Sequence, residues 1–162
     1  MSEALQHVEK LTQERDTQKN QTLRLAHSFS LASDVVPKEQ KNAFIWLTGR
    51  AQAMIDMPPS DDDFDEAYQR VYMDIMQDVY ESSLSLYEEY LGDSSNKQLN
   101  GVHRKHIIHI TGHTVFLATE LRSILWNVIT KEDEIHSEYK DVSTKIDGLD
   151  DKIAFLAASH SS

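Results

Sequence analysis

Apolar residues recur along this chain at intervals of three and four, and no stretch alternates apolar with polar as a half-buried strand does. The broadest pattern lies between Gly101 and Thr130. At about 100° per residue, Ile107, Ile110, Leu117, Leu121, Ile124, Leu125 and Val128 share one face, with Ile108, Val115 and Phe116 off it. Apolar residues spread that widely predict a helix buried on most sides. Asn100 is placed to cap its start. Gly112 interrupts it at a cost of about 1 kcal/mol against alanine, which predicts a kink or a close helix crossing.

The same periodicity predicts four more helices. The first spans Ser2 to about Leu31, with Leu5, Val8, Leu11, Leu23, Leu25, Ala26 and Phe29 apolar and a polar run, 12–22, in its middle. Its first dozen residues are expected to be mobile or to dock on a partner. The second has Pro37 in its first turn and ends near Asp56, with Phe44, Ile45, Leu47, Ala51, Met54 and Ile55 inward. Trp46 falls off that face and reads as a groove filler or an interface anchor. The third starts at Ser60, whose hydroxyl can cap it ahead of the acids Asp61, Asp62 and Asp63, and ends near Leu91 and Gly92. Its expected inner line is Phe64, Tyr68, Val71, Ile75, Val79 and Leu86, flanked by Tyr72, Tyr80, Tyr87 and Tyr90 as core edge.

The last helix, Lys131 to about Ser159, has the strictest pattern. Ile135, Tyr139, Val142, Ile146, Leu149, Ile153 and Leu156 are spaced 4, 3, 4, 3, 4, 3. Isoleucine at a and leucine at d suit a parallel two-stranded coiled coil, hence a homodimer through these residues. Antiparallel packing inside a bundle uses the same spacing. The expected fold is therefore all-α: one domain over 1–162, a bundle of about five helices around the 101–130 helix, with a heptad-patterned C-terminal helix that faces either its own bundle or a second copy.

Five glycines and three prolines in 162 residues agree with long helices, and the absence of cysteine excludes disulfides, thiolate metal sites and thiol nucleophiles. The polar N-terminus has no apolar leader and no charge-free run is long enough to span a membrane, so a cytoplasmic location is expected. The net charge of −11 argues against direct nucleic-acid binding. It is also unevenly placed. Residues 58–93 hold eleven acids and one base, whereas residues 101–131 hold four bases, one acid and four histidines. The flanks of the third and fourth helices are expected to attract one another.

Two clusters carry candidate chemistry. His106, His109 and His113 lie within about 60° of each other on the helical wheel, with His103 nearby. The i, i+4 pair His109 and His113 has the spacing of a helical metal site, for zinc or another transition metal, with His106 and a carboxylate such as Glu134 completing it. The same histidines also fit a core–solvent boundary, or a pH-sensitive edge. No HExxH or ExxH motif supports a metalloenzyme. The second cluster is the stripe Asp74, Asp78, Glu81 and Glu88, a surface suited to a basic partner or to mimicry of phosphates. Asp61, Asp63 and Asp65 begin like a calcium loop, but Glu66 and Tyr72 stand where its glycine and bidentate glutamate belong.

Glycine-rich phosphate loops, GxSxG and the kinase motifs are missing. The sequence thus points to a non-enzymatic helical interaction or regulatory protein, homo-oligomeric and without a cofactor. A metal-binding protein or metal-dependent enzyme built on the histidines is the alternative. An acidic mimic, or binder of a basic partner, is the third reading.

Overall fold

A computed structural model describes residues 25, 27–32, 35–92, 99–129 and 134–161. These are helical apart from short connections and one 3-10 turn, and the chain is an all-α bundle. Helix α1 is described over residues 27–31. It is followed by α2 (Lys38–Asp56), α3 (Glu66–Tyr90), α4 (Gly101–Val128) and α5 (Glu134–Ser161). The expected apolar positions Leu5 to Leu23, and Ala26, lie outside the described residues.

Helix boundaries follow local chemistry. Pro37, in extended conformation, precedes α2. Asn100 caps α4, its side-chain oxygen accepting from the His103 N–H at 2.8 Å, as expected. The start of α3 differs from expectation. Asp61–Asp63 form a separate 3-10 turn, Ser60 donates to Asp63 (2.9 Å), and the cap is Asp65, which accepts from the Tyr68 N–H at 3.0 Å. The physical reason is Phe64. Its ring is buried 4.8 Å from that of Tyr72, so the chain dips into the core before the long helix begins.

Helix α4 is the centre and packs against α2, α3 and α5. Ile107, Ile110, Leu117, Leu121 and Leu125 are buried as expected, and Ile108 and Val115 are buried too. Thr111 and Thr114 are also inside, their hydroxyls donating to the carbonyls of Ile107 and Ile110 four residues back. Helices consecutive in the chain run antiparallel. Gln69 of α3 donates to the Val128 carbonyl of α4 (3.4 Å), Tyr72 of α3 to the Met54 carbonyl of α2 (2.7 Å), and Tyr139 of α5 to the Arg122 carbonyl of α4 (3.1 Å).

The core has two apolar clusters along the bundle. One gathers the first half of α3, the second half of α4 and most of α5. The other gathers Leu25, Phe29, Ala32 and Val36 with Phe44, the end of α3 and Ile107, Ile108 and Ile110. Tyr87 packs on both, and Tyr90 ties α3 to the α1–α2 connection by donating to the Val35 carbonyl at 3.0 Å. Burial pushes the Tyr90 hydroxyl pKa up to about 12, with Glu89 adding to it.

The inner face of α3 is rotated from the expected line. Tyr68 and Val71 are exposed, whereas Tyr72, Met73, Met76 and Tyr80 are buried. Tyrosine bodies can enter the core when the hydroxyl finds a carbonyl at its edge, as Tyr72 and Tyr90 do.

The heptad seam is seated within the chain. Ile135, Tyr139, Val142, Ile146, Leu149 and Ile153 are all buried against α3 and α4, and Leu156 packs on the second cluster. A coiled-coil dimer through these residues would require α5 to leave its own bundle. Charged residues on the flanks of α3 and α4 form ties to α5. Arg70 of α3 pairs with Glu138, and Arg122 of α4 pairs with Asp147 at 2.6 Å while donating to the Ser143 carbonyl at 3.2 Å. The faces on which α3 and α4 meet are apolar, which leaves the acidic stripe turned outward.

Candidate functional site

Two recesses on the bundle surface bring chemistry-bearing side chains together. The first lies between α2 and α3 and has a volume of 660 Å³. Phe44, Trp46 and Leu47 supply its apolar wall from α2. Asp78, Glu81, Ser82 and Ser85 supply a polar wall from α3. Phe44 and Leu47 are buried at its base, whereas Trp46 is 65% exposed. Among the described residues Trp46 is not buried in a groove but stands at the rim of one. The Arg50 guanidinium lies over its ring, 5.6 Å from the centroid.

The acidic stripe meets this recess in part. Asp74, Asp78, Glu81 and Glu88 are all exposed. Asp78 and Glu81 line the recess opposite Trp46, whereas Glu88 lines a separate hollow with Arg104, Asp151 and Lys152. Partial burial raises the pKa of the Asp78 carboxyl, the charges of Glu81 and Asp74 raise it further, and Arg50 opposes them. Asp78 is thus a carboxylate short of counter-charge, and an incoming cation would relieve it.

The second recess, 810 Å³, lies between α4 and α5 and carries the histidines. Lys105, His109 and His113 follow one another at four-residue intervals along its α4 side. Ile108 and Ile153 are buried beneath them. Gly112 sits between, and a Cβ there would lie 3.7 Å from Ile153 Cγ2, an ordinary van der Waals contact, so Gly112 faces α5 without the crossing requiring glycine. His106 does not line this recess. Its electrostatic neighbours include His27, so it faces the α1 side. Ser28 Oγ, in α1, is 3.2 Å from His109 Nδ1.

Of the three histidines proposed as metal ligands, His109 and His113 line this recess and His106 does not. Among the described residues no group of three histidine or carboxylate side chains is placed to hold a metal ion. Glu134 cannot complete the set. Ile153 is the α5 residue that meets Gly112, and Glu134 stands 19 residues before it, about 28 Å along the helix axis. The side chain of Glu134 lies outside the described residues. The wheel put His106 and His113 close in angle, but they are almost two turns apart along the axis.

Burial lowers the pKa of His113, with His109 adding to it, and burial followed by Lys105, His109, His27 and His103 lowers that of His106. A histidine whose folded pKa lies below its unfolded value near 6.5 leaves the unfolded state binding more protons. The resulting stability is fully present above pH 6.5 and is lost as the pH falls below it. The urea midpoint is therefore expected to drop between pH 7.5 and pH 5.5, and the double variant His106→Gln/His113→Gln to show a flatter profile. An identical slope in both proteins would remove these histidines as the cause.

Among the described residues no helix is long and apolar enough to cross a membrane. No protein-family description, curated protein or solved structure matches this chain.

Proposed function

We propose that this protein is a non-enzymatic helical interaction or regulatory protein of the cytoplasm, and that it docks a basic segment of a partner in the α2–α3 recess. The observation that carries the reading is Trp46, 65% exposed at the rim of a recess whose opposite wall is Asp78 and Glu81. A partner helix with leucines on one face and arginines or lysines beside them would place apolar residues on Phe44, Trp46 and Leu47. It would set its cations against the carboxylates. Arg50, over the Trp46 ring, supports the idea that a cation can sit on this indole.

The homodimer expected from the heptad seam would have to form through another face, since the seam is covered within the chain. Light scattering on the full chain reads it directly.

The test is a titration of the full chain, carrying Trp126→Phe so that Trp46 alone fluoresces, with a designed amphipathic peptide bearing lysine and arginine on one face. The expected result is saturable binding that weakens about tenfold or more between low and high salt, as screened charge pairs do. Asp78→Lys/Glu81→Lys, read by the same fluorescence, and Trp46→Ala, read by calorimetry, should each abolish it. Binding unchanged in both variants would overturn the reading, as would turnover of a substrate that depends on the histidines.

A further inference from the structure

The α4–α5 recess inverts the charge of the molecule around it. The chain carries a net charge of −11, yet the described residues lining this recess include three basic side chains and no carboxylate. Lys105, His109 and His113 extend over about 12 Å of one rim, eight residues at 1.5 Å each. Below the rim the surface is apolar. Ile108 and Ile153 are buried, and Phe116, at the far end from Lys105, leaves half its ring surface open to solvent. Ser28 takes Nδ1 of His109, so the ring nitrogen remaining for a ligand is Nε2. Gly112 keeps the floor low, since any larger residue there would stand over Ile153.

We propose that this recess binds a single-chain amphiphile with an anionic head, of the medium-chain carboxylate class. The head lies between Lys105 and His109 and the tail runs over Ile108, Gly112 and Ile153 toward Phe116. Three features select this occupant. The volume of 810 Å³ falls in the range of small-molecule sites, about 300–1,000 Å³. Lys105, the permanent charge of the lining, stands at one end of the apolar strip, which matches a molecule with one charged end. With no carboxylate in the described lining, Lys105 favours an anion over a cation of the same length. An acidic amphipathic helix is the competing occupant, and it would need acids repeated along its length rather than one head.

Calorimetric titration of the full chain with dodecanoate below its micellar range tests this, with dodecyltrimethylammonium as the cation of equal tail. The expected result is saturable binding of one dodecanoate per chain, with the cation at least tenfold weaker. Lys105→Glu, a substitution at an exposed position, should weaken dodecanoate several-fold, and Lys105→Glu/His109→Glu at least tenfold. Gly112→Leu should remove binding by filling the floor, and Trp46→Ala should leave it unchanged. Equal affinity for the two surfactants, many molecules bound per chain, or full affinity in the Lys105→Glu/His109→Glu protein would each overturn the proposal. So would saturation by an acidic helical peptide where dodecanoate gives no heat.

Discussion

A chain stopped at Thr130 is expected to lose its cooperative fold. The truncation removes Ile135, Tyr139, Val142, Ile146, Leu149 and Ile153, all buried. Each large apolar side chain contributes about 1.5–3 kcal/mol on full burial. Six of them match or exceed the net stability of an ordinary domain, roughly 5–15 kcal/mol. The loss is compounded on the surfaces left behind, because Met76, Val79, Leu117, Leu121 and Leu125 belong to the same cluster and would face water. Arg122 would lose Asp147 and the Ser143 carbonyl, and Arg70 would lose Glu138. Far-UV circular dichroism and a urea titration read the outcome, with a broad or absent transition expected. A sharp transition at unchanged midpoint, from a shortened chain that is monomeric where the full chain is dimeric, would show that α5 serves a second copy instead.

Ile146→Asn in the full chain is expected to cost about 3–5 kcal/mol, from the lost burial of isoleucine and an amide left short of partners. For a chain of this size that lowers the melting temperature by on the order of 10 °C. Position 146 is informative because asparagine is tolerated at an a position of a two-stranded coiled coil, where it pairs with its mate across the seam. Here Ile146 is 1% exposed inside its own bundle and has no such mate. The loss should also be independent of protein concentration, since a dimer-coupled transition would shift with it. A mild effect, or a melting temperature that rises with concentration in the parent chain, would contradict the intramolecular seat of the seam.

The candidate sites were legible to different degrees, for reasons of range. The wheel of α4 correctly put Ile107, Ile110, Leu117, Leu121 and Leu125 inside, because one helix's periodicity depends only on its own backbone. The same wheel grouped His106 with His113 by angle, while almost two turns of axial separation leave His113 in the recess and His106 outside its lining. Trp46 stood out as misplaced on its own helix, but Asp78 and Glu81, which line the same recess, lie more than thirty residues away in sequence, so the stripe was read without the tryptophan opposite it. The α4–α5 recess gave no signal beyond Gly112 and the histidines, since its far wall, Ile153 and Ala157, comes from another helix.

Sequence alone was enough for the all-α class, the breaks at Pro37, Met57–Pro59 and Gly92, the cap at Asn100 and the concentration of acids in the third helix. Those properties arise from backbone chemistry and short-range spacing. Tertiary structure decided the partner of each apolar and charged face. It turned the heptad seam inward and sent Arg70 and Arg122 to α5. It also rotated α3 to bury Tyr72 and Tyr80 while exposing Tyr68. A periodic stripe specifies that a face must be covered. What covers it follows from which helices the whole bundle brings alongside, and a heptad is compatible with a neighbour in the same chain or in another.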